Sequence, residues 1–382
     1  MIQGVRIKAW HSQSIGESMS SSPDFESLST YDYELPPELI AQHPLPERDA
    51  SRMLVIHRST GMIEHRFIKE LPLFLKPHDL IVVNNSKVVP ARLQGVRAST
   101  GGKWEGLFLG VTTSGEWQII GQTRGRLVAG EWITIPVPAT HIENAASRQN
   151  SDLQLQLIER GEGGIWKASP QSEISTWDLL EQYGSMPLPP YIHRDDEEAE
   201  DRVRYQTIFS GPQGSVAAPT AGLHFTPALR DRCAASGAKF AEVTLHVGMG
   251  TFRPVSSERI AEHQMHTETC ELSEDVAQKI RSTKSEGGRV LAIGTTSART
   301  LESAARKVGV GLPWQGETNL FLRPPCEFLQ VEALLTNFHV PKSTLLMLVC
   351  AMAGYDLTMQ AYKEAVEQRY RFLSYGDCML IL

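Results

Sequence analysis

Four segments of this chain carry residue types that move protons or hold anions. Residues 215–226 place Thr220 and His224 among small and apolar neighbours, with Pro219 and Gly222 breaking any regular element. Residues 242–255 bring His246 to the end of an apolar alternating run, just ahead of Gly248 and Gly250. Residues 336–354 open with Thr336, Asn337, His339, Lys342, Ser343 and Thr344 before an apolar run from Leu345 to Ala353. The fourth, residues 290–304, runs Val-Leu-Ala-Ile into Gly294 and then Thr295, Thr296, Ser297 and Arg299. Imidazole exchanges protons near neutral pH. A strand that ends in glycine, followed by hydroxyls and a helix start, offers amides and hydroxyls to a carboxylate. One histidine in such a setting is ordinarily a satisfied structural residue. Three of them, each beside Gly, Pro, Ser or Thr, point to one composite pocket.

Known nucleotide motifs do not account for these segments. The turn at Gly294 lacks the Gly-x-x-x-x-Gly-Lys-[Ser/Thr] spacing of a phosphate loop. Gly248-Met-Gly250 lacks the third glycine of a dinucleotide fingerprint, since Arg253 stands there. His263-x-x-His266-x-Glu268 has ligand chemistry, but no further ligand set accompanies it and no metal is assigned.

The elements that must position these groups follow from periodicity. Leu80–Val83, Val243–Val247 and Val290–Ile293 read as buried strands, and 273–284, 298–307 and 357–372 as helices, the last with Tyr362, Val366 and Tyr370 on a core face. The run from Leu345 to Ala353 is too short for a bilayer, which takes about 20 residues. It reads as a buried helix capped by Ser343 or Thr344. A shaped loop leads into another helix near Pro227. From 91 to 170 the texture changes to short alternating runs between Gly, Ser and Thr turns: Trp104–Val111, Glu116–Ile120, Glu131–Val137 and Leu153–Ile158. This spacing suggests a small antiparallel barrel. The expected architecture is an α/β main domain from 30–90 and 171–382 with the β-barrel of 91–170 inserted. Residues 1–29 are polar and Ser-rich and read as a disordered tail, with Met19 an alternative start.

Composition bounds the function. The chain has 382 residues, 41% hydrophobic and 21% charged, which suits a globular protein with room for two domains. Its five cysteines include no Cys-x-x-Cys pair, fitting a reducing cytoplasm and arguing against a disulfide framework or zinc ribbon. A net charge of −7 does not favour bulk nucleic-acid binding, although much of the acid lies in the run 195–201. Local basic clusters exist at Arg202 and Arg204, at Arg369 and Arg371, and at Arg92, Arg97, Lys103, Arg124 and Arg126.

With those residues laid out, the chain resembles the S-adenosylmethionine:tRNA ribosyltransferase-isomerase family of queuosine synthesis. The resemblance spans roughly 30–382. It is carried by Tyr31-Asp-Tyr-Glu-Leu-Pro-Pro, Asn84-Asn-Ser-Lys-Val-Val-Pro-Ala-Arg, Ala217-Ala-Pro-Thr-Ala-Gly-Leu-His-Phe, Val243-Thr-Leu-His-Val-Gly and His263-Gln-Met-His-Thr-Glu268. Gly294-Thr-Thr-Ser-Ala-Arg, the 336–354 stretch and Tyr370-Arg-Phe-Leu-Ser-Tyr-Gly-Asp377 continue it in the family's order. Arg323-Pro-Pro-Cys326 replaces a more usual aromatic-Pro-Gly turn, and the N-terminal extension has no counterpart. The resemblance implies two domains with the active site in the cleft between them. It also implies transfer and isomerisation of the ribosyl part of S-adenosylmethionine onto 7-aminomethyl-7-deazaguanine at the tRNA wobble position. The products would be epoxyqueuosine-tRNA, adenine and methionine. S-adenosylmethionine is consumed as cosubstrate, and no metal or redox cofactor is demanded.

On this reading His224, His246, His266, Glu268 and His339 belong in the reaction cleft, with a histidine as the base that removes a C5′ proton. Thr220, Thr295, Thr296, Ser297 and Arg299 would hold the cosubstrate, the last four at its carboxylate. Asn337, Ser343, Arg371 and Tyr375 are candidates for nucleoside or tRNA contacts, and Arg124 and Arg126 for tRNA on the barrel. A cytoplasmic monomer with no membrane partner is expected. Two rivals remain. A methyltransferase would share the cosubstrate but lacks its early Gly-rich turn here, and a noncatalytic RNA-binding protein would leave the histidine loops without a purpose.

Overall fold

The computed structural model describes residues 23–138, 151–194, 200–248, 255 and 257–382. Four apolar segments form its centre: Lys239–Leu245, Leu80–Asn84, Val290–Ile293 and Ala333–Asn337, hydrogen-bonded in that order and all parallel. The last three are buried at every position, as parallel strands covered on both faces must be. Five strands extend the sheet to nine: Glu268–Leu272 and Trp314–Thr318 on one side, and Cys378–Ile381, then Arg52–His57 and Met62–Phe67 on the other, each paired antiparallel except Arg52–His57, which runs parallel to Cys378–Ile381.

Side-chain alternation divides the apolar groups between two layers. Leu80, Val82, Ala292 and Leu334 point to one face, where they meet helices Glu274–Ser285, Thr295–Lys307, Thr344–Ala353 and Tyr355–Glu367. Ile81, Val83, Leu291, Ile293 and Leu335 point to the other, covered by helix Pro227–Ala235 and the turn Ile68–Phe74. Ser343 caps the Thr344–Ala353 helix by accepting from the Leu346 amide at 3.2 Å. Among the described residues no single helix is long and apolar enough to cross a membrane.

Six antiparallel strands, Arg92–Arg97, Lys103–Val111, Trp117–Thr123, Trp132–Ile135, Leu153–Arg160 and Ile165–Pro170, form the inserted barrel. It is closed by pairing of its first and fourth strands in chain order. Trp104, Phe108, Trp117 and Trp166 fill it. The barrel's core runs past residue 170: Leu179 and Leu180 of helix Thr176–Tyr183 close its end, and Gly184–Ser185 pairs with its first strand. Strand alternation cannot announce a helical plug, so this extension is silent in the pattern. At Gly184 a Cβ would stand 1.8 Å from the Pro90 carbonyl oxygen, so only glycine lets the exit strand cross the entry strand.

The N-terminal reading needs correction. Residues 23–29, assigned to a disordered tail, dock on the main body. Phe25 stacks edge-on against Tyr355 at 5.7 Å, and the Leu28 amide donates to the Glu258 carbonyl at 3.0 Å. Two apolar side chains among serines are too few to register in composition. Residues 1–22, Met19 included, lie outside the described residues, as do Gly250, Arg253 and residues 195–199 of the acidic run.

Candidate active site

The four parallel strands end along one edge of the sheet, where α/β proteins bind ligands. There the 217–221 loop, the 294–296 turn, residues 336–345 and residues 373–374 enclose a cavity of about 190 Å³, with Tyr191 and Val247 completing its wall. Thr220, Thr295, Thr296, Asn337, His339 and Ser343 all line it, so three of the four segments converge through expected residues, and the fourth reaches it through Val247.

The Gly294 turn works because glycine takes φ 86°, a left-handed value that a side chain disfavours. The chain can then enter the Thr295–Lys307 helix with its first amides toward the cavity. Thr296 Oγ1 is buried with no hydrogen-bond partner among the described residues. Ser297 and Arg299 do not join it. Ser297 Oγ donates to the Ile293 carbonyl at 2.8 Å inside the fold. Arg299, a turn further on, grips Glu268 in a buried ion pair and donates through Nε to the Leu320 carbonyl at 3.3 Å. About 100° of rotation per residue carries Ser297 away from the face that Thr295 and Thr296 present, whereas Arg299 lies one turn along that same face and is taken up by Glu268.

His339 is held by its backbone. Its amide donates to the Tyr362 hydroxyl at 3.0 Å, and its carbonyl accepts from the Tyr33 hydroxyl. Its Nε2 lies 3.0 Å from Thr336 Oγ1. Burial lowers its pKa to about 3, so the ring is neutral at pH 7.

His224 sits behind the cavity. Asn337 Nδ2 donates to His224 Nε2 at 3.2 Å, which leaves the Nδ1 proton for Ser51 Oγ at 3.0 Å. Asn337 Oδ1 is buried without a partner among the described residues. Burial, then the charges of Arg48 and Arg371, lower the His224 pKa to about 4. His224 instead lines a second, smaller recess with Arg48, Arg204, Ser51 and Tyr375, and Ser374 borders both spaces.

The other expected members are elsewhere. His246 faces Gly214, whose added Cβ would meet its Nδ1 at 2.9 Å, while its neighbour Val247 reaches the cavity. Alternation along the strand allows one of the two, and it chooses the valine. Burial lowers the His246 pKa. His266 is exposed, and Glu268, besides Arg299, accepts from the Gly248 amide at 3.2 Å. Among the described residues no three ligand-type side chains converge on a metal position. Arg371 donates through Nη2 to the His43 carbonyl, and the Tyr375 hydroxyl donates to Asp201 at 3.2 Å. Arg124 and Arg126 are exposed on a loop of the barrel, where their carbonyls accept from Arg97, and Arg126 borders a separate groove with Arg160 and Trp166.

Sequence reasoning missed Tyr191 and Ser374. Ser374 lay inside the quoted 370–377 motif; Tyr191 had no local signal. The Asn84-Asn-Ser motif supports the site from behind. Asn84 Oδ1 accepts from the amides of Leu245 and Ser86 at 3.1 Å each. Ser215 Oγ donates to Ser86 Oγ at 2.7 Å and accepts from the Val247 amide at 3.0 Å, fixing the strand end that forms one wall.

Known proteins resemble this chain in sequence and fold. The profile of a family described as queuosine biosynthesis protein matches residues 28–381. A Symbiobacterium thermophilum protein named S-adenosylmethionine:tRNA ribosyltransferase-isomerase is 47% identical over 355 residues, covering 93% of this chain and 99% of its own. The Thermotoga maritima protein of the same name is 47% identical over 361 residues, with the same coverage. A crystal structure of an S-adenosylmethionine tRNA ribosyltransferase from Thermotoga maritima superposes with a TM-score of 0.52 at 38% identity, covering 93% of this chain and all of that one. The chain therefore belongs to the queuosine biosynthesis protein family, a family of transferases, and is one of those enzymes.

Proposed function

We propose that this enzyme, acting as a cytoplasmic monomer, transfers and isomerises the ribosyl moiety of S-adenosylmethionine onto 7-aminomethyl-7-deazaguanine at the tRNA wobble position. Epoxyqueuosine-tRNA forms, and adenine and methionine leave. The observation that carries the reading is the convergence of His339, Asn337, Thr295 and Thr296 on one cavity at the strand ends, in a chain 47% identical to proteins named for this reaction. At about 190 Å³ the cavity is smaller than a drug-sized pocket of roughly 300–1,000 Å³. It suits one end of the cosubstrate, and the tRNA nucleotide approaches from outside.

The chemistry assigns the work. The sulfonium acidifies the C5′ hydrogens, and His339 is our choice for the base, since a neutral imidazole at the cavity wall can take that proton. The acceptor amine attacks the sugar once it has lost its own proton. Adenine leaves with a proton or a hydrogen bond donated to its ring, and the Asn337 oxygen, an acceptor without another partner among the described residues, suits its exocyclic amine instead. The first amides of the Thr295–Lys307 helix, with the Thr296 hydroxyl, are proposed to hold the methionine carboxylate. S-adenosylmethionine is a consumed cosubstrate in this scheme.

The test is purified protein with S-adenosylmethionine and tRNA bearing the deazaguanine precursor. Adenine release is expected only with that tRNA. Tight tRNA binding without adenine release would support a noncatalytic RNA-binding protein instead.

A further inference from the structure

The smaller recess beside the cavity is lined by two arginines, Arg48 and Arg204, and by no carboxylate. Arg48 donates to the carbonyls of Leu223 at 3.2 Å and Val203 at 2.9 Å. Arg204 donates to the carbonyls of Pro46 at 3.0 Å and Leu45. Arg371 stands behind them, close enough that its charge bears on His224. Among the described residues none of the three guanidiniums forms an ion pair, whereas most other arginines of the chain do. Arg204 Nε and Arg371 Nη1 are buried with no partner among those residues. Two carboxylates lie behind the wall: Asp377, whose charge bears on Arg371, accepts from the backbone amides of Arg52 and Arg371, each at 2.8 Å, and Asp201 accepts from the Tyr375 hydroxyl. Like charges packed together without a counter-charge destabilise a fold unless an anion arrives.

The geometry points to a binding site for one backbone phosphate of the tRNA, next to the nucleotide that enters the cavity. This rests on the tRNA reading above. The recess has about 20 Å³ of space, room for an oxygen or two and not for a nucleoside. A non-bridging phosphate oxygen fits that description, and guanidiniums are the side chains best shaped to hold it. The cosubstrate carries no phosphate, and its carboxylate already has a place at the Thr296 turn. Ser374 borders both spaces and the Asn337–His224 hydrogen bond joins their walls. A phosphate seated here therefore sits one side-chain layer from the reacting nucleoside. Such an anchor would set how deeply the wobble nucleotide enters.

Synthetic anticodon stem-loops, each with one phosphate replaced by a neutral methylphosphonate, test this by fluorescence anisotropy with the full-length protein. One position is expected to weaken binding roughly tenfold to a hundredfold. Arg204→Gln should weaken the unmodified RNA by a similar factor, lower the salt slope by about 0.7, and show no further loss at that position. Its affinity for S-adenosylmethionine should not change. Because the methylphosphonate series alters only the RNA, it reads out even if Arg204→Gln fails to fold. The site is overturned if no position dominates, if Arg204→Gln keeps the same positional penalty, or if it loses the cosubstrate instead. Inorganic phosphate competing without any sensitive RNA position would mark a free-phosphate site and also overturn it. Adenine release that persists while no position matters would sink the phosphate site alone. Absence of adenine release would refute the function, and the site with it.

Discussion

Asn337 shows how one side chain can serve two spaces. Its amide nitrogen is committed to His224 and to the Leu373 carbonyl at 3.1 Å, its oxygen is buried without a partner among the described residues, and the residue lines the cavity. Thr296 offers the sharper prediction. Its hydroxyl has no partner among the described residues, whereas that of Ser297 is already bonded to Ile293. Thr296→Ala is expected to weaken S-adenosylmethionine binding about tenfold or more, the value of a hydrogen bond to a charged group. Ser297→Ala should leave it within about twofold. Calorimetry on the two variants checks this, and equal affinities would move the carboxylate elsewhere, first to the helix led by Ser343. The pair also shows the limit of reading residues from a string. Consecutive hydroxyls look equivalent in sequence, and only the helix phase separates the one facing the ligand from the one facing the core. The same holds for His246 and Val247, which the pleat sends to opposite sides.

At the scale of elements the pattern was more legible. Continuous apolar runs marked the central strands, and a hydroxyl before an apolar run marked the Thr344–Ala353 helix with its Ser343 cap. Their order across the sheet was not legible, because pairing is decided by contacts far apart in the chain. Leu80–Asn84 lies between strands that begin at residues 239 and 290. Nor did pattern reveal that helix Thr176–Tyr183 plugs the barrel. The barrel itself carries a prediction. Arg124 and Arg126 are exposed on the loop that follows Trp117–Thr123, and Arg126 shares a groove with Arg160 and Trp166. Charge reversal at both is expected to lower tRNA affinity, most at low salt, with cosubstrate binding unchanged. Filter binding over a salt series measures it, and an unaltered affinity removes these residues from the tRNA surface.

For the whole molecule, two histidines buried neutral make stability depend on pH. His224 and His339 have pKa values lowered to about 4 and about 3, by burial first in each case. Unfolded, each would protonate near 6.5. Between those values the unfolded chain binds more protons than the folded one, so stability rises with pH there and falls on acidification. The slope is about 1.4 kcal/mol per pH unit for each histidine. Thermal unfolding should therefore shift steadily downward from about pH 6.5 to pH 4.5. His224→Gln should flatten that dependence by about half. A profile as steep in the variant as in the wild type would show that other groups control it.

The central claim is that the ribosyl group, and not the methyl group, of S-adenosylmethionine reaches the tRNA. Two samples of cosubstrate, one labelled in the ribose and one in the methyl, decide it with precursor-bearing tRNA and the purified protein. Ribose label is predicted to appear in the tRNA in step with adenine release, while methyl label leaves entirely in methionine. Methyl label in the tRNA, with the ribose label left behind in the released nucleoside, would contradict the account.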